Sequence, residues 1–172
     1  MLRILLGAYF DANPSSLEFT YSEKGKPHVS HRPGQLDLRF NVAHSGDVIL
    51  LAFTEGRRLG IDVEQVRPDF ATDDIAERFF SGAERKCLRN LPATQRHDAF
   101  FRCWTRKEAY LKATGDGLSM PLDQFDVSLA PGEPARLIET RPDPAEANRW
   151  ELQDLPVPSG YAGALVIEKT TA

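Results

Sequence analysis

The sequence predicts a fold that mixes α-helices with β-strands, on three observations. Alternating or wholly apolar runs at 17–21, 48–53 and 59–64 read as strands. Helical spacing takes over from residue 72 to residue 114. Strand patterns return at 126–129, 150–152 and 161–167. A chain of 172 residues makes one domain or two small ones and is long enough to bury a real core. With 41% hydrophobic and 27% charged residues it belongs among globular proteins, not disordered chains. The net charge of −4 supplies no global basic field, so neither nucleic acid nor a membrane surface is expected as a partner. No apolar run approaches a membrane span, and the start, Met1-Leu-Arg-Ile-Leu-Leu6, is too short for a secretory signal. Cys87 and Cys103 match neither a disulfide framework nor metal-ligand spacing, and their apolar neighbours predict inert packing. The chain reads as a cytoplasmic protein.

In order, residues 2–10 have the spacing of a helix whose face is Leu2, Leu5, Leu6 and Tyr9. This helix starts without an N-cap residue, which points to a missing upstream element. Gly25 and Pro27 mark a turn after the first strand, with Lys24 and Lys26 exposed on it. Asn41, His44, Ser45 and Gly46 place polar and flexible residues just before the buried run 48–53. A histidine there is more often structural. Its functional alternative is a donor toward phosphate.

Leu59-Gly-Ile-Asp-Val-Glu64 is the stretch around which the chain is organised. Side chains alternate along a strand, so Asp62 and Glu64 project from one face, with Cα atoms about 6.6 Å apart. Two carboxylates so placed suit a hard cation such as Mg²⁺, although an acidic solvated edge is the commoner meaning of such a pair.

Thr72 or Asp73 caps a helix containing Ile75, Ala76, Phe79 and Phe80. Ser81-Gly-Ala-Glu84 has the form of a capping box, in which Glu84 need only reach back to the Ser81 amide. That helix ends near Asn90. The long helix from about 94 to 114 stops at Gly115, in Gly115-Asp-Gly117. At 100° per residue, Phe101, Trp104, Glu108, Leu111 and Lys112 form one stripe, which puts a carboxylate in aromatic company. A surface pair of Glu108 with Lys112 explains the spacing. A third ligand for the Asp62/Glu64 cation explains both spacing and burial. Lys107 and Lys112 flank it. Residues 131–148, rich in Pro and charge, read as a loop or hairpin, and the Thr-Thr-Ala end as frayed.

Gly60-Ile-Asp-Val-Glu64, Phe79-Phe-Ser-Gly-Ala-Glu84 and Trp104-Thr-Arg-Lys-Glu-Ala-Tyr-Leu-Lys112, preceded by Gly25-Lys-Pro27 and Phe40-Asn-Val-Ala-His-Ser45, resemble the 4′-phosphopantetheinyl transferases of the surfactin-synthetase-activating type. The resemblance runs from about residue 2 to 129. It implies an α+β fold of two pseudo-twofold-related halves, 1–58 and 59–172, with the first N-terminally incomplete and the site between them. It also implies transfer of the 4′-phosphopantetheine arm of coenzyme A to a serine of an acyl or peptidyl carrier protein, releasing adenosine 3′,5′-bisphosphate. Asp62, Glu64 and Glu108 would hold Mg²⁺. Glu84, or a water held by the metal, would take the serine proton. Lys112 and Lys107 would steady the pyrophosphate. Lys26 and His44 would bind coenzyme A phosphates, with Pro27 and Ser45 lining the nucleotide site. The protein would act as a monomer. Two departures stand out: Ala43 replaces a frequent Ser, and the family's N-terminal segment, with its first strand and basic residues, has no counterpart. A relative that binds carrier or coenzyme A without efficient turnover is the alternative. An unrelated metal-dependent phosphohydrolase would leave Gly25-Lys-Pro27 and His44 unexplained.

Overall fold

The computed structural model describes residues 1–30, 36–70, 72–115 and 120–170. Asp116 and Gly117 of the expected helix closure, and Thr171 and Ala172 of the expected frayed end, lie outside the described residues. Helices and strands mix as expected. Helix α1 (Leu2–Phe10) is followed by the hairpin β1 (Phe19–Tyr21) and β2 (Pro27–Val29), then by the hairpin β3 (Leu38–Ser45) and β4 (Val48–Glu55). Strand β5 (Leu59–Gln65) leads to α2 (Thr72–Phe79), α3 (Gly82–Asn90) and α4 (Ala93–Thr114). A hairpin of β6 (Phe125–Val127) and β7 (Leu137–Thr140) precedes β8 (Trp150–Asp154) and β9 (Tyr161–Glu168). The last two join β5 in an antiparallel sheet of order β5-β9-β8. Among the described residues no helix is long and apolar enough to cross a membrane.

The predicted face of α1 is only partly right. Leu6 is fully buried, Leu2 is half-buried, and Leu5 and Tyr9 are exposed. The helix lies at the rim of a small core of Leu6, Leu17, Val29, Leu38 and Phe40, so a single row of its side chains inserts. Residues 131–148 do contain a strand, because Leu137 and Thr140 turn inward while Ile138 and Glu139 stay outside.

The larger core gathers on α4. Phe80, Phe100, Phe101, Tyr110, Phe125 and Trp150 pack around it. Between the two cores, β3 and β5 run side by side in the same direction. They are joined by side chains: Asn41 Oδ1 accepts from the Ile61 amide at 2.8 Å, and Ser45 Oγ accepts from the Gln65 amide at 3.0 Å. Ala43, Ile61 and Val63 fill the seam between them. The acidic strand thus stands at the junction of two packed units, where clefts form.

Candidate active site

Strand β5 brings Gly60 and Asp62 against α4. A Cβ on Gly60 would lie 2.2 Å from the Ala109 carbonyl oxygen and 2.3 Å from the Ala113 nitrogen, so helix backbone rests directly on the strand. This close approach aligns Asp62 with the last turns of α4, and Lys112 Nζ donates to Asp62 Oδ1 at 2.7 Å. Asp62 is only 5% exposed, and its Oδ2 is buried with no hydrogen-bond partner among the described residues. Burial pushes the Asp62 carboxyl up to about 7, against the pull of Lys112 and with added pressure from the Glu64 and Glu108 charges. Glu108 is also raised, first by burial, with Lys112 opposing and Glu64 adding to the rise. Glu64 Oε2 accepts from Ser45 Oγ at 2.9 Å, tying the end of β3 to the acidic strand.

Beside these groups lies a cavity of about 190 Å³ walled by Lys26, Pro27, Asn41, Glu108, Leu111 and Lys112. The expectation that Lys26 is exposed on its turn is not met. Its ammonium donates to the carbonyls of Leu59 at 2.9 Å and Lys112 at 2.6 Å, clamping the start of β5 to the end of α4. Burial, then the Arg39 and Arg58 guanidiniums, lower it to about 8. His44 is exposed next to Ser45.

Two expected site residues sit elsewhere. Glu84 is 2% exposed and Lys107 fully buried, and they pair with each other at 2.9 Å. Glu84 completes its capping box by accepting from the Ser81 amide, and it also accepts from the Val127 amide at 2.9 Å. Lys107 donates to the carbonyls of Leu122 at 2.7 Å and Phe125 at 2.6 Å. An ammonium has three donors, and here all three are occupied inside the protein. The reading of Glu84 as an accessible base and Lys107 as a phosphate ligand is therefore corrected: from where they stand they reach no outside molecule. The signal was present in part, since the capping box alone accounts for Glu84.

Sequence reasoning passed over two anchors. Asn41 stitches β3 to β5 and lines the cavity. Arg106, fully buried, grips Asp154 with two bonds at 2.9 and 2.7 Å and also donates to the Ser128 carbonyl. Arg106, Lys107 and Glu108 thus leave α4 in three directions, toward β8, toward α3 and β6, and toward the cavity.

The donor chemistry of Asp62, Glu64 and Glu108 is of the oxygen type that a hard cation takes. The unpartnered Asp62 oxygen is a buried acceptor with nothing to accept from among the described residues, and the Glu64 and Glu108 charges raise its proton affinity further. Among the described residues no three His, Cys, Asp or Glu side chains stand closed around a point as a ready-made cage. Asp62 is turned to Lys112 and Glu64 to Ser45.

A model of the 4′-phosphopantetheinyl transferase superfamily matches residues 58–166. The chain belongs to that superfamily. It is 41% identical over 155 residues to the 4′-phosphopantetheinyl transferase HetI of Nostoc sp., covering 90% of this chain and 62% of the relative. It is 35% identical over 129 residues to the 4′-phosphopantetheinyl transferase Sfp of Bacillus subtilis, covering 75% and 55% respectively. The chain therefore spans about three fifths or less of the length of these relatives. A holo-(acyl-carrier-protein) synthase from Bacillus anthracis, solved in complex with CoA, shares the fold, with a TM-score of 0.53 at 21% identity over 66% of this chain and 96% of that one. The holo-[acyl-carrier-protein] synthase of Thermotoga maritima gives 0.52 at 23% identity over 66% and 64%. The α+β fold is that of the superfamily, and the matched segment holds Asp62, Glu64, Glu108 and Lys112.

Proposed function

We propose that this chain carries out the transfer for which its relatives are named, moving the 4′-phosphopantetheine arm of coenzyme A to a serine of an acyl or peptidyl carrier protein in the cytoplasm, with Mg²⁺. The reading rests above all on Asp62. It is a buried carboxylate with one oxygen on Lys112 and the other unpartnered, within reach of the Glu64 and Glu108 charges, and Glu108 and Lys112 line the cavity. Asp62, Glu64 and Glu108 would hold the Mg²⁺ ion, and 1–58 and 59–172 would act as the two halves facing one site. Bound there, Mg²⁺ would polarise the pyrophosphate of coenzyme A and offset its charge. Lys112 adds a cation beside the same group, and Lys26, Pro27, His44 and Ser45 line the nucleotide side. The carrier serine oxygen bonds to the phosphorus that bears pantetheine, the bond to the adenosine 3′,5′-bisphosphate oxygen breaks, and the serine proton passes to a water at the site, the acceptor that remains once Glu84 is enclosed.

The test is intact-mass spectrometry of an apo acyl carrier protein incubated with this protein, coenzyme A and Mg²⁺. The expected result is a mass gain of one phosphopantetheine, lost when EDTA is added. If apo acyl and peptidyl carriers all keep their mass while coenzyme A still binds, the chain is a binding relative without turnover. Calorimetry supplies that second readout. Lys26→Ala and His44→Ala are each expected to weaken coenzyme A by about tenfold, the scale of one lost charge-assisted hydrogen bond. Unchanged affinity in both variants removes the nucleotide side from the assignment.

A further inference from the structure

We propose that the buried pair of Glu84 and Lys107 is a positioning device, which sets the rotation of α4 about its axis so that Glu108 faces the cavity within reach of Asp62. It rests on the reading of Asp62, Glu64 and Glu108 as the metal-holding set. Glu84 and Lys107 then serve the reaction without touching substrate.

The pair joins three elements at one point. Glu84 belongs to the first turn of α3, Lys107 to α4, and the groups they bond, the Val127 amide and the Phe125 carbonyl, to β6. The Phe125 ring lies against the ammonium as well, 4.2 Å from its centroid. One position before, Arg106 ties the helix to Asp154 of β8. On the β5 side the Ala109 and Ala113 backbone rests on Gly60 with no space to spare. The helix is thus held from three sides within about two turns, and Glu108, with Leu111 and Lys112, is left facing the cavity. The tip of a helical side chain lies about 5–6 Å from the axis, so a 10° rotation of α4 moves the Glu108 carboxylate by about 1 Å. Displacements of that size near reacting groups cost about 100-fold in rate.

A charge pair closed off from solvent is an expensive way to fill a core, and removing one partner leaves a lone buried charge. That asymmetry supplies the test. Full-length Lys107→Met, Glu84→Gln and the double variant Glu84→Gln/Lys107→Met are compared with the wild type well below each melting temperature. Mn²⁺ binding is followed by electron paramagnetic resonance without coenzyme A or carrier. Transfer is followed separately by intact mass. Lys107→Met is expected to bind Mn²⁺ about tenfold more weakly, the scale seen when an outer partner of a metal ligand is removed, and to lose about 100-fold in kcat. The double variant leaves no lone charge but lacks the ion pair, so it is expected to regain about tenfold in kcat while both readouts stay below the wild type. A folded Lys107→Met with wild-type Mn²⁺ affinity and kcat overturns the positioning role while leaving the site assignment intact. A folded double variant as inactive as Glu84→Gln returns Glu84 to the chemistry and also overturns it. If Lys107→Met does not fold, the double variant alone decides. A wild type that binds no Mn²⁺ removes the metal-holding set and this inference with it.

Discussion

Asp62→Asn is expected to abolish transfer and, in the same molecule, to raise the thermal stability of the metal-free protein at pH 8. Activity should fall by more than about 1,000-fold, because the residue is the central ligand of the proposed Mg²⁺ site. The gain in stability follows from proton linkage. Burial holds the folded-state Asp62 carboxyl at about 7, whereas its ordinary value is 3.8. Between these two values the native state binds more protons than the unfolded chain, so stability falls as the pH rises through that window. Fully expressed above pH 7, a rise of this size corresponds to at most about 4 kcal/mol. Asparagine fills the same space without the charge and leaves Lys112, whose side chain is 32% exposed, free to hydrate. A net gain of about 1–2 kcal/mol would raise the melting temperature by roughly 3–8 °C for a chain of this size. At pH 5, lower in the same window, the advantage of the variant should shrink, because folded Asp62 is protonated there while the unfolded chain still ionises. With Mg²⁺ and coenzyme A the order should reverse at pH 8, since ligands that bind only the native wild type stabilise it by mass action. Calorimetry at the two pH values, with and without ligands, checks all of this. A variant less stable than wild type at pH 8 without metal would sink the account of Asp62 as a carboxylate whose burial outweighs its pairing with Lys112.

Much of this site could be read locally. The alternation in Gly60-Ile-Asp-Val-Glu64 puts Asp62 on the face that meets α4, and the stripe through Trp104, Glu108, Leu111 and Lys112 brings Glu108 and Lys112 toward it. Ser81 and Glu84 announce their capping box within four residues, and the structure has both of its bonds. What escaped is long-range. Glu84 and Lys107 lie 23 positions apart in the sequence, and no local pattern says that a capping glutamate also takes the ammonium of a lysine on another helix. Lys26 looked like turn surface because Gly25 and Pro27 flank it, yet its ammonium reaches Lys112, 86 residues away. Leu5 and Tyr9 had the right spacing for a buried face, but periodicity does not say how wide a face the neighbouring core can cover. The strand of Leu137–Thr140 was veiled by the prolines and charges around it.

Gly60→Ala is expected to be the most damaging single change in the chain outside the charged residues, although it adds one methyl group. The backbone of Gly60 is ordinary strand paired with Val166, so conformation is not at issue; space is. The added carbon would meet the Ala109 carbonyl oxygen at 2.2 Å, the Ala113 nitrogen at 2.3 Å and the Lys112 carbonyl carbon at 2.7 Å. All three are helix backbone, which cannot rotate away as a side chain can. Ordinary overpacking costs about 1–3 kcal/mol because side chains give way. Here α4 as a whole must lift from β5 by about 1 Å, against its ties through Arg106 and Lys107, so a loss above about 3 kcal/mol is expected, a drop of at least roughly 6 °C in melting temperature. Whatever protein folds should also bind Mn²⁺ poorly, because the lift carries Glu108 and Lys112 away from Asp62. Gly82→Ala is the matched control: at the start of α3 its added carbon meets nothing nearer than Arg85 Nη2 at 4.0 Å, and it should be neutral or slightly stabilising. Equal melting temperatures for the two variants would mean that α4 does not rest on β5 as closely as the site requires. A large difference would show that the glycine between Leu59 and Ile61 is there for the helix, and through it for the carboxylates.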